Sequence, residues 1–321
     1  MNPEHPKVSI GLPVFNGERY LAQAINSILA QTFTDFELII SDNGSTDQTE
    51  AICRAYAAKD GRIQYERHHE NRGAAWNYNR VFALSRGQYF KWAAADDYLA
   101  NTFLEKCVQI LDSRPEVVLC FCWFDDVDEH SQRIQTRQAV TRAGLPQPHA
   151  RFRDLALVRP VYTCEEVFGL IRRSVLVRTR LIDYFPDSDR TLLAELGLYG
   201  PFYEIPEVLF YHRLHNQSSV AERPSRHQRV VWFNPAAANR LVFPNWHQFW
   251  ATWRVIWRVP LSLSERAKCH WHMVYWVWRS RKRLWHDLVW AWRWLSRRYL
   301  SAAASKSGMQ DEYSEVVDAA N

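Results

Sequence analysis

Two hydrophobic periods alternate along the first third of the chain. "VSIGLPVF" (8–15) is a short apolar run, and "YLAQAINSILAQ" then sets Leu21, Ala24, Ile25, Ile28 and Leu29 at helical spacing. "FELIIS" reads as a second strand, followed by a helix from Thr46 with Ser45 or Thr46 as its cap. "RIQYER" is strand-like, "AAWNYNRVFALSRG" is helical and closes on Gly87, and "QYFKWAAA" is the next strand. "NTFLEKCVQILDSRP" predicts a helix capped by Asn101 or Thr102 and stopped by Pro115, after which "VVLCFCWF" supplies a fifth strand.

Apolar strands alternating with helices imply an α/β fold whose mostly parallel sheet is covered on both faces. Ligands of such sheets bind beyond the carboxyl ends of the strands. Four turns therefore matter here: "LPVFNGE", "SDNGSTD", "ENRG" and "ADDY". Gly, Asn, Asp and Ser are also ordinary turn residues, but four such turns in succession on one sheet edge exceed what turn chemistry alone requires. The last turn carries Asp96 and Asp97 side by side, two carboxylates that repel each other unless a positive charge joins them.

From 140 to 163 the periodicity is poor, and "TRAGLPQPHARFRD" reads as irregular. A mixed region continues to about Gln217. Composition then shifts, since twelve of the fifteen tryptophans lie between Trp232 and Trp294, and a boundary near Ser225 follows. The expected organisation is an α/β unit over 1–224, divided into a first half at 7–113 and a second at 114–224, a Trp/Arg-rich helical region over 225–300, and a disordered tail over 301–321.

A net charge of +5 is too mild to suggest nucleic acid as a partner. The six cysteines have no metal-ligand spacing and read as buried thiols in a reducing compartment. The first residues show no basic stretch followed by an apolar one, so no secretory signal is expected, and a cytoplasmic location is the default. No apolar run reaches the ~20 residues of a spanning helix.

No G-x-G-x-x-G follows the first strand and no G-x-x-x-x-G-K-[ST] occurs, so the common glycine routes to a nucleotide are missing. The stretches "VSIGLPVFNGERYLAQAINSILAQTFTDFELIISDNGSTDQT" and "NRGAAWNYNRVFALSRGQYFKWAAADD" instead resemble the nucleotide-sugar-binding half of family-2 glycosyltransferases with the GT-A fold. The similarity is dense from Lys7 to about Ser113 and thinner to about Gln217.

The resemblance implies that Pro13, Val14, Phe15, Asn16 and Glu18 border the base and ribose of the donor, with Asn71 and Gly73 in the third turn. Asp42 would accept a hydrogen bond from a base ring N–H, which suits a UDP-, dTDP- or GDP-sugar. The usual second acid of that turn is Asn43 here. Asp96 would face the ribose, and Asp97 a divalent cation, Mn or Mg, held by the diphosphate. "FDDVDEH" offers a rival acid pair, Asp126 and Asp128, but this position is a hairpin turn in the family. Asp189 matches the acid that opens a helix below the acceptor and would be the base of an inverting transfer; capping by Asp187, Ser188 or Asp189 is the plainer reading. "YHRLHNQSS" resembles the closing Arg-x-His stretch, placing Arg213 near the diphosphate and His215 near the metal. Glu165 and Glu166 are weaker candidates for the acceptor side, and His68, His69, His270 and His272 read as structural.

In the tail, Trp246, Trp250, Trp253 and Trp257 form one helical stripe, and a second helix from Ser264 carries Trp271, Trp278, Trp285 and Trp292 among Arg279, Arg281, Lys282, Arg283, Arg293, Arg297 and Arg298. Such helices suit an anionic membrane surface; packing on the catalytic unit or pairing in a dimer is the alternative. The reading as a whole is an inverting hexosyl- or related transferase acting on a glycan or glycolipid acceptor at the cytoplasmic face of a membrane, in polysaccharide or glycolipid synthesis. A nucleotidyltransferase and a catalytically silent membrane scaffold are the alternatives.

Overall fold

A computed structural model describes residues 5–138, 143–157, 164–216 and 225–318, with side chains through Ser296. The chain alternates as predicted through β1 (Val8–Val14), α1 (Leu21–Leu29), β2 (Phe36–Asp42), α2 (Thr49–Ala57), β3 (Ile63–Arg67), α3 (Ala74–Leu84) and β4 (Tyr89–Trp92). The order continues β5 (Tyr98–Leu99), α4 (Phe103–Ser113), β6 (Leu119–Val127), β7 (Arg133–Arg137), α5 (Pro148–Ala156), β8 (Leu170–Arg172), α6 (Arg173–Leu176), α7 (Ser188–Tyr199) and β9 (Phe202–Arg213). Three helices follow: α8 (Arg226–Phe233), α9 (Pro244–Arg258) and α10 (Leu263–Asp318).

All residues of β1 and β2 are buried, as a sheet covered on both faces requires. The strand order is β3-β2-β1-β4-β8-β6-β9-β5, with β7 hydrogen-bonded to β6. Strands β1 to β4 pair in parallel, so the first, second and fourth turns leave the sheet on one edge. The short β8 runs antiparallel between β4 and β6, while β9 lies parallel to β6 and antiparallel to β5. That last pairing is decisive for the site, because it lays the end of β9 beside the Asp96–Asp97 turn.

Some local expectations are corrected. Helix α2 begins at Thr49, since Asp47 accepts the Thr49 N–H at 3.0 Å and neither Ser45 nor Thr46 caps it. Thr102 stands at the start of α4 without a side-chain capping bond. The stretch read as irregular contains α5, which starts on Pro148 and buries Phe152, Leu155 and Ala156. Buried Arg151 hides that helix from a hydropathy reading: its guanidinium donates to the carbonyls of Leu145, Pro146 and Gly197 at 2.6–2.7 Å. The rest of that stretch, 139–142 and 158–163, and the residues 217–224 around Gln217 lie outside the described residues.

The tail is docked on the catalytic unit. Helix α9 packs on α7 through Thr252 and Thr191, whose hydroxyls lie 3.2 Å apart, and through Arg258 with Glu195 at 3.3 Å. Buried Asp287 of α10 accepts the first N–H groups of α9, from Asn245 at 2.8 Å and Trp246 at 3.2 Å, and the Asn245 amide at 2.6 Å. A carboxylate at that position satisfies otherwise orphaned donors and opposes the helix dipole. The proposed stripe of α9 therefore splits: Trp246 and Trp253 pack against the core, whereas Trp250 and Trp257 are exposed.

On α10 the inward seam is Cys269, Met273, Trp276, Ser280, Leu284, Asp287 and Ala291. Trp271, Trp278, Trp285 and Trp292, 59–72% exposed, stand on roughly the opposite side at 3.6 residues per turn. Helix α10 also runs through the stretch expected to be disordered, as far as Asp318. Adding a residue to an existing helix is far easier than nucleating one, and Ala, Lys, Gln and Glu are good formers. All six cysteines are buried and unpaired. Among the described residues no helix is long and apolar enough to cross a membrane.

Candidate active site

The first two turns are laced together by side chains. Asn16, in the left-handed region at φ 51°, donates its N–H to Ser45 Oγ at 2.9 Å and accepts the Thr46 N–H on Oδ1 at 2.9 Å. The Gly17 N–H reaches Thr49 Oγ1, the Glu18 N–H reaches Asp47, and Glu18 accepts the Gln48 N–H at 2.8 Å. Asn16 and Glu18 are thus braces of the turn. Pro13 and Val14 are buried in the end of β1, and Phe15 stands 45% exposed above them as a ring free to stack.

Asp42 is fully buried. Its Oδ1 accepts the Ser45 N–H at 2.8 Å and its Oδ2 the Tyr65 hydroxyl at 2.9 Å, so only spare lone pairs remain for a base N–H. Asn43 explains its departure from an acid: its amide donates to Asn71 Oδ1 at 2.9 Å and to the Gly73 carbonyl at 3.2 Å, which a carboxylate would repel. Gly73 sits at φ 90°, and a Cβ there would lie 2.5 Å from the Phe233 carbonyl. Helix α8 is thereby seated against the third turn. Asn77, which sequence reasoning did not single out, joins the ends of β1 and β2 through the Val14 and Ser41 carbonyls.

At the fourth turn Asp97 is buried, and burial together with neighbouring Asp96 pushes its pKa up to about 8, against the opposing pull of His212 and the Arg213 N–H. Asp96 is about one third exposed and binds His215 Nε2 at 2.9 Å. His215 Nδ1 is buried without a partner, and the ring leans on Tyr20 at 5.2 Å.

Arg213, expected near the diphosphate, is held by protein acceptors. It is 2% exposed, and its guanidinium donates to the carbonyls of Asp96 and Asp128, to Gln23 Oε1 and to Ser131 Oγ at 2.8–3.1 Å, while its backbone N–H donates to Asp97 Oδ1 at 2.8 Å. Arg213 is a positioning residue that fixes the acid pair from behind. Each guanidinium nitrogen has a protein acceptor, since β9 ends beside the turn.

The rival acids are structural. Asp126 holds Arg137 Nε, Gln135 at 2.7 Å and His212 Nδ1 at 3.0 Å, and Asp128 accepts the N–H groups of His130 and Gln132 in the β6–β7 turn. Burial alone would lower the His212 pKa, but the Asp126 bond and the charges of Asp97 and Glu165 raise it to about 9. His212 is thus a cation beside Asp97, and only the β6–β9 register could have announced it. Lys91 is buried below, its ammonium on the Phe168 carbonyl and over the Phe103 ring, with burial pushing its pKa down to about 8. Among the described residues no three His, Cys, Asp or Glu side chains converge as a metal cage.

Asp189 enters from the first turn of α7, and the Arg190 N–H donates to its Oδ1 at 2.7 Å. Burial and the Asp187 charge push its pKa up to about 6. Glu165, brought in by the short 3-10 turn Glu165–Phe168, acts on both Asp97 and Asp189, and partly buried Tyr78 feels Asp96, Asp97 and Asp189 together. The acid pair and Asp189 therefore belong to one electrostatic neighbourhood. Glu166 is buried in the same turn. His68 lies on Ser41 and Trp76, His270 on Trp253 and His272 on His149, all in structural contacts.

The chain was compared with known proteins. Residues 9–179 match the model of "Glycosyl transferase family 2". An uncharacterized glycosyltransferase of Rickettsia typhi is 33% identical over 228 residues, 68% of this chain and 65% of the relative. One of Rickettsia prowazekii is 35% identical over 224 residues, 67% of this chain and 64% of the relative. The chain thus spans somewhat under two thirds of these relatives. Among solved structures, Staphylococcus aureus TarS 1–349 in complex with UDP superposes with a TM-score of 0.59 at 16% identity, covering 85% of this chain and 71% of that one. The same protein in complex with UDP-GlcNAc gives 0.60 at 16% identity, with 85% and 72% covered. With the laced turns, the acid pair on the sheet edge and the matched family model in agreement, this chain belongs to glycosyl transferase family 2.

Proposed function

We propose that the protein transfers a hexosyl or related sugar, with inversion, from a UDP-, dTDP- or GDP-sugar to a hydroxyl of a glycan or glycolipid acceptor, with a divalent cation at Asp97, at the cytoplasmic face of a membrane. One observation carries the reading: two acids that burial drives toward the neutral form, Asp97 at the carboxyl edge of the sheet and Asp189 at the start of α7, both feel Glu165 and both act on Tyr78. The first calls for a cation. The second is poised to take a proton from an acceptor hydroxyl near neutral pH. Phe15 offers a face to the base, and TarS, of the same fold, is known with UDP and UDP-GlcNAc.

The residues fit a hard divalent ion. Asp97 would supply carboxylate oxygens and His215 an imidazole that would have to turn from Asp96, and Mn or Mg would take its remaining ligands from phosphates and water. When bound, the ion neutralises charge on the departing diphosphate. Arg213 holds the acid pair in register, Glu165 acts on both Asp97 and Asp189, and Asp189 receives the proton. Nothing in the site favours nucleotidyl transfer, whose Gly-rich basic first turn is missing.

Two measurements test the reading. UDP, dTDP and GDP are titrated with Mn while the melting temperature is followed; one of them should stabilise by about 3 kcal/mol at a hundred times its Kd, which is a rise of several degrees. Turnover of the matching sugar nucleotide should release nucleoside diphosphate. Silence with all three, or release of pyrophosphate, refutes the proposal.

Membrane docking rests on the outward Trp row of α10 and the cations beside it. Removing everything after Ser225 would strip α9 from the core, so the cleaner variant is Trp271→Ala/Trp278→Ala/Trp285→Ala. It should float with anionic phosphatidylglycerol vesicles about tenfold less than the unaltered chain, and equal flotation would leave internal packing or a dimer as the role of the tail.

A further inference from the structure

Consecutive residues of α3, Asn77 to Asn79, each hold a different part of the candidate site. Asn77 donates to the Val14 and Ser41 carbonyls at 3.3 and 2.9 Å and accepts the Ser41 hydroxyl at 2.6 Å, which ties the helix to the ends of β1 and β2. The Tyr78 carbonyl accepts the Nε1–H of Trp92, the last residue of β4, at 2.9 Å. Asn79 reaches the other way. Its Nδ2 donates to the Ile182 carbonyl at 2.8 Å and its Oδ1 accepts the Ile182 N–H at 3.1 Å. One side-chain amide thus satisfies both backbone groups of one residue, as a neighbouring strand would.

Ile182 opens the stretch that delivers Asp189. The chain bends at both ends of it through left-handed residues that are not glycine, Leu181 at φ 59° and Asp187 at φ 66°. Such residues carry a conformational cost and persist where their surroundings over-determine them. At the far end Arg226 supplies the restraint, paired with Asp187 and donating to the Pro186 carbonyl at 2.9 Å. At the near end the Leu181 N–H reaches Thr179 Oγ1 at 3.2 Å, the Arg180 N–H reaches Glu195 at 3.2 Å, and Asn79 takes both groups of Ile182. Of these three near-end restraints, Asn79 comes from the donor half. Buried Ile182 and Phe185 seat the stretch in the core, and the Ser188 N–H, donated to the Phe185 carbonyl at 3.2 Å, leads into α7, whose second residue is Asp189.

The amide is matched to this task. Ile182 is 5% exposed, so its backbone groups would lose their partner without gaining much water if the side chain were shortened. An apolar side chain would neither donate nor accept, and a carboxylate would accept the N–H but repel the carbonyl.

We propose that Asn79 is a positioning residue for the transfer: its amide sets the stretch 182–187, and through it Asp189, in register with the donor turns that the same part of α3 holds. This rests on the glycosyltransferase reading above and adds to it a residue that acts on the base through the backbone. A misplacement of about 1 Å at a reacting group costs about a hundredfold in rate, so two hydrogen bonds remote from the chemistry are enough to matter.

The test compares the full chain with Asn79→Ala and with Asn79→Asp, which keeps an acceptor for the Ile182 N–H. In Asn79→Ala kcat should fall about a hundredfold, while affinity for the nucleoside diphosphate that stabilises the unaltered chain with Mn is held. The acid limb of kcat/KM should move to lower pH as water reaches Asp189 and relieves its burial. Amide hydrogen exchange across 181–187 should quicken about tenfold, with β1 and β2 unchanged. Asn79→Asp should fall between the two chains in each measurement, and it carries the comparison if Asn79→Ala does not fold. Loss of kcat and nucleotide affinity together, with the acid limb in place, is what a merely structural residue would give and overturns the proposal. Unchanged exchange across 181–187 overturns it as well. If the unaltered chain turns over no sugar nucleotide, the glycosyltransferase reading has failed, and the exchange comparison still decides whether Asn79 sets the stretch.

Discussion

Asp189→Asn is expected to lower kcat by about a hundred- to ten-thousand-fold, the usual contribution of a positioned general base. The Asn side chain keeps an oxygen for the Arg190 N–H that now bonds Asp189 at 2.7 Å, so α7 should stay in place and the melting temperature should hardly move. Burial and Asp187 set the pKa of Asp189 at about 6. A base works only when ionised, so kcat/KM of the unaltered enzyme should fall tenfold per pH unit below about 6 and level off above it. In the Asn variant that acid limb should disappear with the rate. A variant that keeps a tenth of the activity, or keeps the acid limb, would move the base elsewhere, with Glu165 the nearest alternative.

Asp97→Asn separates stability from function. In the unaltered, metal-free chain the Asp97 pKa rises from 3.8 to about 8 on folding, because burial and Asp96 disfavour its charge. An acid with a raised folded pKa adds stability at low pH and withdraws it as pH climbs from about 4 to about 8. Asn is neutral throughout and still offers Oδ1 to the Arg213 N–H. The variant should therefore melt several degrees higher than the unaltered chain at pH 8 with chelator present, with the difference closing toward pH 4. Its gain from Mn plus nucleoside diphosphate should vanish and turnover should drop at least a thousandfold, a stability–activity exchange expected where a site holds destabilised charge. Equal stabilisation of both chains by Mn and nucleotide would remove Asp97 from the cation site.

Much of this was legible in the chain because the donor half is local. β1, β2 and β4 are largely apolar, fully buried runs whose ends coincide with Gly, Asn and Asp turns, and Asp96 and Asp97 are adjacent in sequence and in space. The role of Arg213 was not legible. Its motif points to a phosphate, but a twelve-residue strand pairing with β5 and β6 turns the guanidinium behind the acids. His212 was missed for the same reason, since its partner Asp126 is 86 residues away. The tail misled in a different way: tryptophan dominates its composition, and the inward seam of Cys269, Met273, Ser280 and Asp287 is chemically too mixed to stand out as an apolar stripe.

Opposite sides of α10 share no residue: the seam packs against the rest of the chain, and the row from Trp271 to Trp292 faces outward. Substitutions in that row can therefore accumulate without disturbing the packing that seats the helix. A lineage is free to re-address such a chain to a new surface, or release it from one, while the core beneath stays as it was.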